Sequence, residues 1–279
     1  MTVRVVTDST CDLTPDLAAS AGIMVIPVYI NLGDRSYLDG VDLTRTEFYA
    51  RLPDFDPPPT TASPGPEPFR QTYEALAAEG ADEIVSIHVA ASLSTVCNVA
   101  TAAARETQGA RVTVVDSQQV SLGTGFLALT AARLAAAGRT AAEIVAALPD
   151  QIRRTRIFAA LDTLEYLRRS GRVSALVAGL GSLLQIKPVL TVAEGVIRSD
   201  RVRTRSQAVQ RILDLLGARG PLSHLAVLHT GARARAEALL AQVRHLAPPG
   251  EIPLVEVTPA IGAHVGPEGL GLACVQAAG

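Results

Sequence analysis

Between Val3 and Ala137 the apolar residues fall into two patterns that alternate along the chain: short continuous runs and stripes at helical spacing. Val3 to Thr7 reads as a short buried strand. Thr14-Pro15-Asp16 then supplies an N-cap, a proline at the first helical position and an early acid, and Gly22 closes that helix. Ile23 to Ile30 predicts a second strand, which Pro27, with no N–H to donate, places at an edge or a bulge. Phe69, Tyr73 and Leu76 recur at helical spacing up to Gly80. Ile84 to Val89 and Val112 to Val115 are strand-like, and a long apolar helix from about Leu122 to Ala137 ends at Gly138. This alternation predicts a mainly parallel sheet with helices on both faces.

Thr140-Ala141-Ala142-Glu143 is a capping-box sequence opening a helix that Pro149 is expected to close. A junction near residue 150 divides the chain into an N-terminal α/β domain, 1–150, and a C-terminal α/β domain, 151–279. In the second, Pro188 to Val192, the turn Ala193-Glu194-Gly195 and Val196 to about Val202 form a hairpin. His224 to His229 and Leu254 to Val257 are further strands, separated by a helix rich in Arg, Ala and Leu. The expected fold is therefore α/β in two domains, the first sheet mainly parallel and the second mixed.

Composition narrows the function. The 279 residues are 48% hydrophobic and 19% charged, enough for a substantial core. With 25 Lys plus Arg against 27 Asp plus Glu, no global positive field holds nucleic acid, and zero Trp with five Phe and five Tyr leaves little for stacking bases. Lys187 is the one lysine, so positive charge is almost all guanidinium. Cys11, Cys97 and Cys274 form no C-x-x-C, which fits a reducing cytoplasm. Met1 to Val6 lacks the features of a signal peptide, and every apolar stretch is interrupted before about 18 residues, so a cytoplasmic protein without a transmembrane segment is expected.

Stretches that carry chemistry are few. No G-x-x-x-x-G-K, H-E-x-x-H or G-x-S-x-G occurs, and histidines 88, 224, 229, 245 and 264 show no metal-ligand spacing. Gly123-Thr124-Gly125-Phe126-Leu127-Ala128 fits the loose dinucleotide fingerprint, but small residues that let a helix lie close to a sheet explain it equally well. Seven prolines between Pro53 and Pro68 make either a plain loop or a stiff one that holds Thr60-Thr61-Ala62-Ser63 in place. Ala90 to Thr95 precedes a helix running to about Thr107. Unpaired N–H groups and the hydroxyls of Ser92 and Ser94 there suit a carboxylate, with ordinary helix capping as the alternative. His264 stands among Gly262, Gly266, Gly269 and Gly271, where it either meets a ligand's polar end or lies on a surface turn. Arg168, Arg169 and Arg172 surround Gly171, and Arg201, Arg203 and Arg205 alternate as if on one strand face. Both groups read as phosphate or acidic-partner contacts, or as solvated charge.

Several of these segments, in order, resemble the DegV family of bacterial fatty-acid-binding proteins. They are Val6-Thr7-Asp8-Ser9-Thr10, Tyr37 to Asp42, Thr60-Thr61, Leu93-Ser94, Val115-Asp116-Ser117, Leu161 to Val173, Ile186-Lys187-Pro188, Val202 to Arg205 and Gly262 to Gly271. The resemblance implies a long-chain fatty acid, such as hexadecanoate, in a tunnel between the two domains, and no other cofactor or metal. It implies a non-enzymatic, lipid-presenting subunit of a fatty acid kinase. A separate ATP-binding subunit would convert the bound carboxylate to an acyl-phosphate for phospholipid synthesis, with transient membrane contact for lipid exchange. Thr61 and Ser94 would bind the carboxylate, His264 and Thr95 would lie near it, and Arg203 and Arg172 would face the partner or a phosphate.

The chain departs from that pattern where Ala62, Ala90 and Ala91 replace serines and Thr95-Val96-Cys97 replaces Gly-Thr-Tyr, which alters the surroundings of the two hydroxyls. Two competing readings stand beside it. One is a serine acyl hydrolase or acyltransferase with Ser94 as nucleophile, His264 as base and Asp116 orienting it. The other is a module for a dinucleotide or other small ligand.

Overall fold

A computed structural model of the chain describes residues 1–171 and 186–279. Strand β1 (Val3–Asp8) leads into helix α1 (Pro15–Ser20), where the Thr14 hydroxyl accepts from the backbone N–H of Leu17. Strands β2 (Ile23–Ile26), β3 (Tyr29–Leu32) and β4 (Arg35–Leu38) follow, then α2 (Arg45–Arg51), β5 (Thr60–Ala62) and α3 (Pro66–Ala78). Next come β6 (Glu83–His88), α4 (Val96–Glu106), β7 (Arg111–Asp116), α5 (Leu122–Ala136) and α6 (Ala141–Arg154). The remainder is β8 (Thr155–Ala160), α7 (Glu165–Arg169), β9 (Lys187–Ala193), β10 (Val196–Val202), α8 (Arg205–Gly217), β11 (Leu222–His229), α9 (Arg233–Val243), β12 (Leu254–Glu256), α10 (Pro259–Val265) and β13 (Leu270–Gln276).

These strands build a parallel sheet in the order β2-β1-β6-β7, a mixed six-stranded sheet β10-β9-β8-β13-β11-β12, and a small antiparallel sheet β4-β3-β5. The fold is α/β with one parallel and one mixed sheet, as the alternation of patterns predicts. Helices α3 and α4 cover one face of the parallel sheet, and α8 and α9 cover the far face of the mixed sheet. Between the two sheets lies α5, in contact with β1 and β6 on one side and β8 and β13 on the other. The small or apolar run from Leu122 to Ala128 follows from that position, because helix turns covered on all sides have no face for charged residues, while Arg133 and Ala136 near its end are exposed. Leu127, Ala128 and Ala131 are fully buried there among Val85, Ile87, Ile157 and Ala273.

The structure corrects three local expectations. Ile23 to Ile30 is two strands in different sheets: Pro27 interrupts the ladder, and the chain passes from the parallel sheet at Ile26 to the small sheet at Tyr29. Pro149 does not close α6, which runs on to Arg154. Ile144, Leu148 and Ile152 bury one face of that helix while Pro149 lies on the exposed face. Arg201, Arg203 and Arg205 do not share a strand face. Strand β10 ends at Val202, and Thr204 with Gln207 forms a capping box that starts α8, so Arg205 is the first residue of a helix. The proline-rich stretch is the stiff alternative in part, since Thr60–Ala62 pairs with β3 and Pro66 opens α3.

Gly123 and Gly125 serve the close packing of α5. A Cβ on Gly125 would stand 2.7 Å from the carbonyl oxygen of Cys11, a backbone atom that cannot swing away. Gly125→Ala is therefore expected to destabilise by about 2 kcal/mol, the range for overpacking a tight core. Gly217→Ala, at the last residue of α8 with open space around it, is expected to be neutral or slightly stabilising. Chemical denaturation of both variants checks the pair, and equal midpoints would remove the packing role of Gly125.

Candidate functional site

The carboxyl ends of β1 and β6, β5, helix α10 and the mixed sheet surround a cavity of about 540 Å³. Ligands in open α/β sheets are commonly received beyond the carboxyl ends of parallel strands. Its wall is largely aliphatic, with Ile157, Leu190, Val192 and Ile197 from β8 to β10, Leu228 from β11 and Ile261 from α10. Among the described residues lining it there is no Asp, Glu, Lys or Arg. Where β5, the loop before α4 and α10 converge, Thr61, Ser63, Ser94, Thr95 and His264 supply hydroxyl and imidazole groups.

Each of these side chains is placed by local structure. Thr61 sits opposite Ile30 in the β3–β5 pair, and its Oγ1 is 2.9 Å from Nε2 of His264. His264 lies in the last turn of α10, not in a loose glycine turn, so a helix aims it at Thr61. The loop from Val89 to Thr95 is held by its backbone. Val89 N–H donates to Asp8 Oδ2 at 3.1 Å, Ala90 N–H to the Gln119 carbonyl at 2.9 Å, and Ala91 N–H to Asp116 Oδ1 at 3.1 Å. Ser92 donates to the carbonyl of Gly195 at 2.6 Å and so ties the loop to the β9–β10 turn. Ser94 Oγ accepts from Val96 N–H at 3.3 Å and leaves its own proton available, so helix capping and ligand contact are compatible at this residue. Ser63 and Thr95 hydroxyls are 2.8 Å apart and close the polar patch.

Thr61, Ser94, Thr95 and His264 are thus brought together, and Arg203 is not among them. It is exposed in the bend between β10 and α8, where its backbone N–H donates to Gln207 Oε1. Arg172 lies outside the described residues. Arg168 and Arg169 both pair with Glu165, and Arg205 pairs with Asp162. Asp116 is engaged by the N–H groups of Ala91 and Gln118, and His264 Nε2 by Thr61, which is not the relay that the hydrolase reading requires. Ser-His-Asp spacing occurs elsewhere: Ser86 Oγ is 2.7 Å from His88 Nε2, and His88 Nδ1 is 2.9 Å from Asp8 Oδ2. All three residues are fully buried and Tyr73 caps Ser86, so this chain braces the scaffold.

Ser63 lines the site without having been singled out by the sequence, and Ser92, a carboxylate candidate by sequence, spends its proton on the Gly195 carbonyl instead. Ser63 stands two residues beyond Thr61, the spacing that puts extended side chains on one face, and that signal was present. The partner of Ser92 is 103 residues away, and nothing local announces it.

A second buried polar group supports α10. Asp12 Oδ1 accepts from Thr258 N–H at 2.7 Å, its Oδ2 accepts from the Ser121 hydroxyl, and Arg45 approaches to 3.8 Å. Burial pushes the Asp12 carboxyl up to about 6 against the pull of Arg45 and these hydrogen bonds. No group of three or more His, Cys, Asp or Glu suited to a metal ion occurs among the described residues. No helix among them is long and apolar enough to cross a membrane.

Fold and site define an α/β protein with a parallel and a mixed sheet and, between them, an apolar cavity with no charged side chain among its described lining residues. The chain belongs to the DegV family: the family described as "Uncharacterised protein, DegV family" matches residues 2–277. A DegV domain-containing protein of Streptomyces coelicolor is 39% identical over 274 residues, covering 97% of each chain. Among solved structures, a DegV family protein from Thermus thermophilus, described for its fatty acid binding, is 34% identical. It superposes with a TM-score of 0.88 over 99% of this chain and 100% of its own. DegV of Bacillus subtilis, described as a fatty acid binding protein, is 29% identical with a TM-score of 0.90 over 99% of both chains.

The raised carboxyl of Asp12 gives a pH prediction. Unfolded, the group ionises near 3.8; folded, near 6. The unfolded chain therefore releases this proton first as pH rises. The stability Asp12 contributes is full below about 4, falls between about 4 and 6, and is flat above. The stability of the wild type minus that of Asp12→Asn is expected to decline by on the order of 3 kcal/mol across that window. Urea unfolding at stepped pH reads it, and a difference independent of pH would contradict it.

Proposed function

We propose that this protein binds one long-chain fatty acid between its sheets and presents the carboxylate to a separate ATP-dependent kinase subunit, which converts it to an acyl-phosphate for phospholipid synthesis. The observation that carries the reading is the aliphatic cavity with a cluster of neutral hydroxyl and imidazole groups where β5, α10 and the loop before α4 meet, and no charged lining among the described residues. In this reading residues 1–150 form the domain that supplies the carboxylate-binding loops, and residues 151–279 the domain that supplies most of the acyl wall and the partner-facing arginines. The site of action is the cytoplasm. The fatty acid binding described for the Thermus thermophilus and Bacillus subtilis proteins supports the ligand class.

The energetics divide the labour. A chain of about fourteen methylenes removed from water contributes roughly 11 kcal/mol gross before ordering costs, so the tail supplies affinity. Hydrogen bonds to a charged group add about 1.5 to 3 kcal/mol each and fix which end faces the partner. Thr61 and Ser94 hold the carboxylate, with Thr95 and His264 beside it. In the tautomer that carries the proton on Nε2, His264 donates to Thr61 Oγ1 and leaves the threonine O–H for the ligand. Neutral donors orient the carboxylate without pairing its charge, which keeps it a competent nucleophile toward ATP. Arg203, exposed and away from the cavity, serves the partner, as does Arg172.

Denaturing the purified protein and analysing the released small molecules by mass spectrometry is expected to yield a long-chain fatty acid at near-equal molar ratio. Absence of any hydrophobic ligand would overturn the reading. The double variant Thr61→Val, Ser94→Ala is expected to slow acyl-phosphate formation at least about tenfold more than it weakens lipid retention; equal losses would refute the division of labour. Arg203→Ala should keep the lipid and impair turnover with the kinase subunit. Loss of lipid instead would place Arg203 in the pocket.

A further inference from the structure

Helix α10 is only seven residues long, too short to persist on its own propensity, and yet it carries His264. Its N-cap residue is Thr258, a type that ordinarily accepts from the first-turn N–H groups of its own helix. Here it does not: no side-chain cap bond is made, and the Thr258 hydroxyl donates instead to Asp39 Oδ1 at 2.6 Å. Asp39 lies 219 residues earlier, is 2% exposed, and also accepts from the Ser9 hydroxyl at 2.7 Å. The backbone N–H of Ala260, in the first turn of α10, faces the same carboxylate. Asp12 takes the backbone N–H of Thr258 itself, and Tyr49 OH donates to the carbonyl of Val257 at 2.8 Å.

We propose that Asp39 and Asp12 are positioning residues that seat α10, with Asp39 acting as its N-cap from a distant part of the chain, and thereby fix His264 against Thr61. The significance of that seat for the ligand rests on the function proposed above, but the seat itself is a property of the chain. Two buried carboxylates at a helix N-terminus hold the end of the helix through charge-assisted hydrogen bonds and oppose its positive dipole end. Moving that end moves the last turn, because α10 is a rigid rod of less than two full turns between Thr258 and Gly266. The geometry therefore links the early Ser9, Asp12 and Asp39 to a site residue more than two hundred positions later. None of those three lines the cavity.

The test uses the full-length protein in four variants: Asp39→Ala, Thr258→Val, Thr258→Ser and Ile212→Ala. Ile212→Ala, on the buried face of α8, serves as a destabilised control. Two signals are read: the nitrogen resonances of His264 by NMR with labelled histidine, and the dissociation rate of a pyrene-labelled long-chain fatty acid into phosphatidylcholine vesicles. Asp39→Ala and Thr258→Val are expected to shift the His264 Nε2 resonance and to speed dissociation about tenfold. Thr258→Ser, which restores the hydroxyl, is expected to return both to wild type, and Ile212→Ala to leave the His264 resonance unmoved. Should Asp39→Ala fail to fold, Thr258→Val decides alone. Wild-type His264 resonances in either folded variant would overturn the proposal, as would an equal shift in Ile212→Ala. If the wild type takes up no labelled fatty acid, the ligand reading fails while the resonances still decide the seat.

Discussion

The segments around the cavity depend on carboxylates set at the ends of elements and satisfied by backbone N–H groups. Asp8, the last residue of β1, accepts from the N–H groups of Thr10 and Val89. Asp116, the last residue of β7, accepts from Ala91 and Gln118. Asp12 accepts from Thr258. Hydrogen bonds to an ionised acceptor are roughly twice as strong as neutral ones, and leaving such a buried group unpaired is more costly still. Loops at the strand ends are thereby fixed, and the hydroxyls of Thr61, Ser63, Ser94 and Thr95 converge with no hydrogen bond to a charged side chain among the described residues. The charges belong to the frame, and the cavity keeps only neutral donors.

A second constraint is the thickness of the layer between the sheets. Helix α5 buries every residue of its first two turns, so its sequence there is small or apolar, and Gly125 brings it against the backbone at Cys11. That close approach sets how near the ends of β1 and β8 can come. The cavity occupies the space beyond the first turn of α5, where Val120 and Ser121 line it. Ser121 holds a positive φ of 55°, unusual for a residue with a side chain, and its hydroxyl bonds to Asp12. The scaffold of the packed layer and the support of α10 therefore meet at one residue.

What the sequence disclosed follows the range over which each signal acts. Strands and helices whose patterns complete themselves within about ten residues were legible: β1, β6, β7, α5 and the β9–β10 hairpin all stand where apolar runs and turn residues put them. Errors arose where a local rule met a tertiary one. Pro27 marked a disturbance, but only the existence of a third sheet explains why the chain leaves at that point. Pro149 would end an isolated helix, and burial of Ile144, Leu148 and Ile152 carries α6 past it. The arginine alternation mimics a strand face, but the capping box of Thr204 and Gln207, itself a local signal, starts a helix there. At the site, the resemblance to the DegV family grouped Thr61, Ser94, Thr95 and His264. Periodicity alone had no means to join residues some two hundred positions apart.

The lack of charge in the cavity lining bears on the choice between a carrier and a hydrolase. A hydrolase needs its base oriented by an acid and its nucleophile activated by that base. Here the acid nearest in sequence to the expected relay, Asp116, spends its carboxylate on backbone N–H groups, and the imidazole of His264 is committed to Thr61. The Ser-His-Asp chain with suitable spacing among the described residues, Ser86-His88-Asp8, is fully buried beneath α3. On the proposed reading the cavity hydroxyls donate to an anion, and the buried Ser86-His88-Asp8 chain is support. In that reading the ligand's own carboxylate meets no charged side chain among the described lining residues, and is held by donors that leave it reactive. The group that reacts with it then has to arrive from another protein.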